Sequence, residues 1–269
     1  MDTRPHVGSR LENSPMFSPK GKFGWYELMT SDTKAAGKFY SDVVGWTTQD
    51  MTGGGMEYTT FNIGGVGIAG MLTIPGHVAW IGYISVDDVD AHIEKIVAAG
   101  GKLWKPATDV PGMLRFAVMS DPQGAAFVVF TPNPAMPSPK RPEPPAPGTI
   151  GWHELYTTDL EAGFAFYNKL FGWTKMSDMD MGPMGIYRLF DEGDHKPMGD
   201  GGMMTKTPNI PVSCWNFYFC VDSVKAAAER VKAGGGNVLN GPMQVPGGGW
   251  IINAQDPQGA MFSLVSNKE

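Results

Sequence analysis

The chain of 269 residues has room for one large domain or two ordinary ones, and 42% hydrophobic against 18% charged residues is a globular balance, not a disordered one. A formal net charge of −6 with no basic block argues against nucleic-acid binding through a phosphate-tracking surface. No apolar run approaches the ~20 residues of a membrane span and residues 1–20 hold no apolar leader core, so no membrane contact and a cytoplasmic location are expected.

Residues 1–20 mix Pro, Ser, Asn and charge and read as a flexible tail. Phe23–Thr30 alternates and predicts a strand. Asp32 is placed to cap a helix over Thr33–Val44, with Ala36, Phe39, Tyr40 and Val43 on one stripe and Gly45 closing it from the left-handed region. Tyr58–Ile63 and residues 66–72 read as short strands separated by Gly64-Gly65. The order then recurs. Residues 80–86 form a strand, Asp87 or Asp88 caps a helix through Ala99, and 114–119 and 126–130 form strands around the turn Asp121-Pro122-Gln123-Gly124.

Residues 131–148 contain eight prolines, a composition that cannot build a sheet ladder and should run extended as a spacer. A Pro-x-x-Pro ligand for a partner domain is the sharper alternative. The prolines favour the linker because they fall at the boundary of an internal duplication. Gly24-Trp25-Tyr26-Glu27-Leu28 matches Gly151-Trp152-His153-Glu154-Leu155 at an offset of 127, as do Phe39-Tyr40 with Phe166-Tyr167 and Gly45-Trp46 with Gly172-Trp173. At an offset of 135, Trp80-x-x-Tyr83 matches Trp215-x-x-Tyr218 and Asp121-Pro-Gln-Gly-Ala matches Asp256-Pro-Gln-Gly-Ala. The second copy has thus gained eight residues, expected within 177–204. A period this long is domain duplication and not a solenoid. In the second copy Asp159 should cap Leu160–Phe171 and Asp222 should cap 223–233, with strands at 215–221, 250–254 and 261–265. The two cysteines, Cys214 and Cys220, share one face of a strand at about 20 Å separation, at ~3.3 Å per residue, too far to bridge. They read as buried reduced thiols.

The ordered set of strand, Asp-capped helix with Phe-Tyr, Gly-Trp, a strand ending Val-Asp-Asp-Val-Asp, and Asp-Pro-x-Gly before a last strand resembles the vicinal oxygen chelate superfamily, which holds glyoxalase I, bleomycin- and fosfomycin-resistance proteins and extradiol dioxygenases. The tandem form with Gly-Trp-x-Glu-Leu and Trp-x-x-Tyr resembles an actinobacterial two-domain subgroup of glyoxalase-like proteins. The resemblance covers nearly all of 23–130 and 150–266. It implies an α+β fold of two tandem domains, 21–131 and 149–269, joined by the linker 132–148. Each would be made of two βαβββ modules forming a curved mixed sheet around a cavity. Two fused copies would satisfy within a monomer the pairing that single-copy relatives achieve as dimers, and a homodimer is the alternative.

The resemblance also implies a divalent-metal site at set inward positions, where His, Gln or Glu would serve as ligands. Carried over one at a time, those positions fall on Trp25, Ile81 and Val128 in the first copy and on Trp152, Asn216 and Ser263 in the second, with the fourth-strand position near Ala69 and Gly202. None is a strong ligand, so no metal cofactor is expected.

Period-two alternation from Trp25 and Trp152 brings Glu27 and Met29, Glu154 and Tyr156, Tyr83 and Tyr218 to the same concave face. The result is an aromatic, methionine-rich trough with one carboxylate per copy, the lining of a small-molecule site. Glu27 and Glu154 are the candidate catalytic residues, because a carboxylate in an apolar trough gains proton affinity and suits a general base. The competing role is structural, each Glu pairing with an Arg or a backbone N–H, with Arg115 the candidate in the first copy. Trp25, Trp152, Tyr83, Tyr218, Asn216, Ser263, Tyr156 and Arg115 are the candidate ligand contacts. Alternation sends His153 to the packed side, and His77 and His195 fall in loops. Three functions stay open: a metal-independent lyase or isomerase with a Glu base, a non-catalytic binder of resistance type, and a metal-dependent lyase or dioxygenase with a displaced site using Glu27 or Glu154 and a loop His.

Overall fold

The computed structural model describes residues 20–51, 57–135 and 140–269. The tail expected over 1–20 therefore lies outside the described residues, save Lys20.

The first copy runs β1 (Phe23–Thr30), α1 (Thr33–Val44), β2 (Thr47–Met51), β3 (Tyr58–Ile63), β4 (Val66–Thr73), β5 (Ala79–Ser85), α2 (Val89–Ala98), β6 (Lys102–Val110), β7 (Leu114–Ser120) and β8 (Ala126–Pro132). Its eight strands form one mixed sheet in the order β2-β3-β4-β1-β5-β8-β7-β6. Two βαβββ modules meet at the antiparallel pair β1–β5, and each module closes by a parallel pair, β1–β4 or β5–β8. The second copy repeats this with β9 (Ile150–Thr157), α3 (Leu160–Phe171), β10 (Thr174–Asp180), β11 (Ile186–Asp191), β12 (Gly201–Thr205), β13 (Cys214–Cys220), α4 (Val224–Ala233), β14 (Asn237–Gln244), β15 (Trp250–Gln255) and β16 (Met261–Ser266). The α+β fold of two tandem domains is therefore present as expected.

The local rules hold at most helix ends. Asp32, Asp88 and Asp159 accept from the N–H of Ala35, Ala91 and Ala162, and Gly45 and Gly172 close α1 and α3 with φ of 90° and 77°. At α4 the expectation fails. Ser223, not Asp222, is the cap, accepting from Ala226 at 3.1 Å, while Asp222 pairs with Arg230 at 2.7 Å. Both residue types cap well, so composition could not choose between neighbours.

The strands β2, β6, β10 and β14 gave no alternation because each is a sheet edge, exposed along most of its length. Pro106 in β6 and Pro242 in β14 are tolerated there because an edge has a free side. The eight extra residues are spread more widely than 177–204. Tyr58 and Gly70 correspond to Tyr187 and Gly202, at offsets of 129 and 132, so three of the eight come after Gly202 and before Trp215. The strand β12, rich in Gly and Met, masked that register.

The even positions of β1 (Tyr26, Leu28) and their counterparts in β9 (His153, Leu155) are buried in one core shared by both copies. Its contacts are reciprocal. Tyr40 of α1 donates to Asp256 (3.1 Å) and Tyr167 of α3 donates to Asp121 (3.2 Å). Trp80 Nε1 donates to Tyr40 and Trp215 Nε1 to Tyr167. Trp46 Nε1 donates to the Gly148 carbonyl and Trp173 Nε1 to the Gly21 carbonyl. The sequence motifs that announced the duplication are thus the two halves of its interface. A pseudo-twofold axis relates the copies, as in an isologous dimer.

The described part of the proline-rich segment is anchored at both ends of its run. The Gly148 N–H donates to Cys220, and the Arg141 guanidinium donates to the Gly24 carbonyl at 2.6 Å and lies 5.3 Å from the Trp25 ring. Cys214 and Cys220 are both free thiols at opposite ends of β13; Cys220 is buried as expected, whereas Cys214, at the start of the strand, is only half-buried. Among the described residues no helix is long and apolar enough to cross a membrane.

Candidate functional site

Beyond the register shift after Phe23, the odd positions of β1 (Trp25, Glu27 and Met29) are half-buried on the face opposite the shared core. Register sets Trp25 across from Tyr83 and Glu27 across from Ile81, and Tyr83 lies beside Val128. Residues directly paired in a sheet point the same way, so these line one concave face. Tyr83 donates to Glu27 at 2.9 Å. Tyr58, reaching over from β3, comes close enough to this carboxylate to lower its proton affinity, while its own oxygen accepts from Trp25 Nε1 at 3.0 Å. Burial pushes the proton affinity of Glu27 up, and the hydroxyls of Tyr83 and Tyr58 and the charge of Lys105 offset that only in part. Burial and the Glu27 charge hold Tyr58 and Tyr83 well above the ordinary phenol range, so both act as O–H donors.

In the second copy Glu154 accepts from three hydroxyls: Tyr187 at 2.8 Å, Tyr218 at 2.7 Å, and Tyr156. Trp152 Nε1 donates to Tyr187 at 2.8 Å, repeating the Trp25–Tyr58 contact. Beside it, Ser263 Oγ accepts from Asn216 Nδ2 and from Asn253 Nδ2, each at 2.7 Å, and Asn253 lies 3.3 Å from the Tyr218 hydroxyl. Asn216 Oδ1 is buried without a partner among the described residues.

One glycine per copy makes the tyrosine contacts feasible. Gly70 pairs with Glu27 in β4–β1, and Gly202 pairs with Glu154 in β12–β9. A Cβ on Gly70 would overlap the Tyr58 phenol, and one on Gly202 would overlap that of Tyr187. This register also corrects the fourth-strand position of the first copy. It is Gly70; Ala69 points the other way, into the shared core. The position where the resemblance would put a fourth ligand is therefore crossed by a tyrosine ring in both copies.

The other implied ligand positions carry Trp25, Ile81 and Val128, or Trp152, Asn216 and Ser263. An indole and two aliphatic side chains offer no lone pair to a divalent ion, and one amide with one hydroxyl offers a weak set. These residues do not fit the metal centre that the resemblance implies. Among the described residues no three His, Cys, Asp or Glu side chains form a group able to hold a metal ion.

Arg115 is a correction. Its guanidinium bonds Asp90 of α2 and Asp109 of β6, and Phe116, its neighbour, takes the concave side beside Tyr83. A shift of one residue along a strand exchanges faces, so Arg115 belongs to the helix side and does not meet Glu27. It lines a cleft of about 520 Å³ with Asp88, Asp109 and Asn133, away from both glutamates. His153 is packed as expected. Its Nε2 is 2.6 Å from the Tyr26 hydroxyl, and its Nδ1 lies 3.1 Å from Glu192 without hydrogen-bond geometry. His195 is exposed against Asp191. The residues that sequence reasoning missed are Tyr58, Tyr187, Asn253 and Lys105. The available signal was the shared register of Tyr58 with Gly70 and Tyr187 with Gly202, visible only once β3 and β4 are paired.

The sequence model of the glyoxalase/bleomycin resistance protein/dioxygenase superfamily matches residues 22–129 and again 149–264. CFP32 of Mycobacterium tuberculosis, provisionally named a glyoxylase, is 34% identical over 254 residues, covering 91% of this chain and 95% of that protein. The anthracycline biosynthesis protein DnrV of Streptomyces peucetius is 31% identical over 274 residues, covering 94% and 95%. In fold the chain is similar to the Mn(II)-bound glyoxalase of Novosphingobium aromaticivorans (TM-score 0.63, 17% identity, 91% of this chain and 81% of that one). It is also similar to the 2,3-dioxygenase LapB of Pseudomonas sp. KL28 (TM-score 0.64, 15% identity, 92% of each).

Proposed function

The chain belongs to the glyoxalase/bleomycin resistance protein/dioxygenase superfamily, and from that premise we propose that it binds a small organic metabolite on its concave faces and uses Glu27 as a general base without a divalent metal. One observation carries the choice of Glu27. Its carboxylate lies in an aromatic and aliphatic trough that raises its proton affinity, and Tyr83 and Tyr58 hold it in place. A base so placed suits proton abstraction next to a carbonyl, and a tyrosine O–H beside it can donate to the oxygen on which charge develops. That two relatives are named for anthracycline biosynthesis supports an aromatic ligand.

The three hydroxyls on Glu154 favour a second reading for the second copy. They occupy three of about four lone-pair positions of that carboxylate, which suits a binding surface more than a base. A thermal-shift screen of small aromatic carbonyl compounds, with and without divalent metals, finds the ligand. Glu27→Gln should then lower turnover of the hit by a factor of roughly a hundred or more and preserve its binding. Undiminished turnover in Glu27→Gln, or turnover restored only by added metal, would sink the proposal.

A further inference from the structure

We propose that the two concave faces take chemically different ligands, and that the second binds one bearing a hydroxyl or amide N–H that donates to Asn216. This rests on the reading of the concave faces as ligand sites. The duplication supplies the comparison. Ile81, Val128 and Val118 of the first copy correspond, at the offset of 135, to Asn216, Ser263 and Asn253 of the second. In the first copy these three belong to an apolar cluster with Tyr83 and Phe130. The fold thus accepts a hydrocarbon floor at this place and does not need a polar one.

The second floor is nonetheless an amide–hydroxyl–amide chain. Ser263 Oγ accepts two N–H bonds, and through Asn253 the chain continues to Tyr218 and Glu154. Asn216 is only 8% exposed, its Nδ2 is spent on Ser263, and its Oδ1 has no partner among the described residues. A buried acceptor left without a donor is disfavoured unless something other than the chain supplies one. Asn216 sits in register with Glu154, so the missing group is a donor placed beside a carboxylate. A neutral alcohol, phenol or amide meets that description, and a hydrocarbon does not.

Phenol and toluene are nearly isosteric and differ in the donor. In NMR titrations of the full chain, phenol should move the side-chain amide signal of Asn216, and toluene should not. Asn216→Leu identifies that signal by its loss and should weaken phenol binding at the second face about tenfold, the upper end for one hydrogen bond. It should leave toluene binding at the first face unchanged. Ile81→Asn tests the mirror case without touching the second copy, and should weaken toluene binding while phenol at the second face is unaffected. Equal responses to the two probes, with the Asn216 signal unmoved, would overturn the proposal and leave the concave faces as ligand sites. Failure of both probes to bind any concave residue would overturn both readings.

Discussion

Tyr26 and His153 occupy the same position in the two copies, 127 residues apart, and meet across the interface with hydroxyl oxygen and Nε2 separated by 2.6 Å. They mark the pseudo-twofold axis. Phe23, Phe217, Trp173 and Trp215 pack around them, so this polar contact sits inside an aromatic core. The symmetry is broken on one side only. Glu192, which follows directly on β11, faces His153 and accepts from the Phe23 N–H of the first copy at 3.1 Å. The concave faces therefore look outward from a joint that fixes both sheets, and chemistry on one face has a rigid backing.

The reciprocal Tyr–Asp bonds should carry equal shares of that joint. Asp256 Oδ1 accepts the turn N–H groups of Gln258, Gly259 and Ala260, and Asp121 Oδ1 accepts those of Gln123 and Ala125. In each case Tyr40 or Tyr167 satisfies the remaining oxygen. Tyr40→Phe leaves the Asp256 oxygen and the Trp80 N–H without their partner, at a cost of about 1–3 kcal/mol. Tyr167→Phe should cost the same, and the double variant should lose the sum of the two. Urea unfolding of the three variants checks this; a large difference between the single variants would refute the symmetric reading.

The glycines opposite the glutamates should be irreplaceable for a specific reason. Gly70→Ala forces the Tyr58 ring off Glu27, and Gly202→Ala forces Tyr187 off Glu154, each expected to cost about 1–3 kcal/mol by overpacking. The cost is a clash with one ring. Gly70→Ala placed on a Tyr58→Ala background should therefore be nearly silent, and likewise Gly202→Ala on Tyr187→Ala. A double-mutant cycle reads the coupling directly. Additive costs would show that the glycines serve backbone geometry and not the tyrosines.

Glu27 should make stability depend on pH with a definite sign. Its proton affinity in the fold is raised from the reference of 4.5, so ionisation is penalised by folding. The favourable contribution of the protonated form is complete below the unfolded value and is lost as pH rises through the higher folded value. Glu27→Gln removes that loss. The variant should therefore melt above the wild type near neutral pH, with the gap shrinking as pH falls toward about 4.5. Melting curves across that range check it; a gap that widens on acidification would reverse the assignment.

Much of this was legible in the sequence because the decisive signals were local or repeated. Alternation in β1 separated Trp25 and Glu27 from Tyr26 and Leu28, and the paired motifs fixed the duplication. What escaped depended on pairing between strands. Tyr58 and Tyr187 reach their glutamates across an intervening strand, and only the β4–β1 and β12–β9 registers show that Gly70 and Gly202 let them pass. The sequence offers Arg115 as a partner for Glu27, but the one-residue alternation of β7 gives the place in the trough to Phe116. Ser223 and Asp222 were indistinguishable as caps until Arg230 claimed the aspartate.

The two glutamates should separate in function when each is neutralised alone. Glu27 accepts from Tyr83 with Tyr58 close by, and its raised proton affinity is the property a base needs. Glu154 is enclosed by three tyrosines and anchors the Asn253–Ser263–Asn216 chain through Tyr218. Glu27→Gln should therefore lower kcat on a turned-over ligand by a factor of roughly a hundred or more, the usual size of a general-base contribution, with KM little changed. Glu154→Gln should spare kcat and weaken binding of a hydroxyl-bearing ligand at the second face, because the tyrosines it orders lose a charged acceptor. Steady-state kinetics and ligand titration on both variants distinguish the roles. Loss of kcat in Glu154→Gln with full activity in Glu27→Gln would move the catalytic site to the second copy.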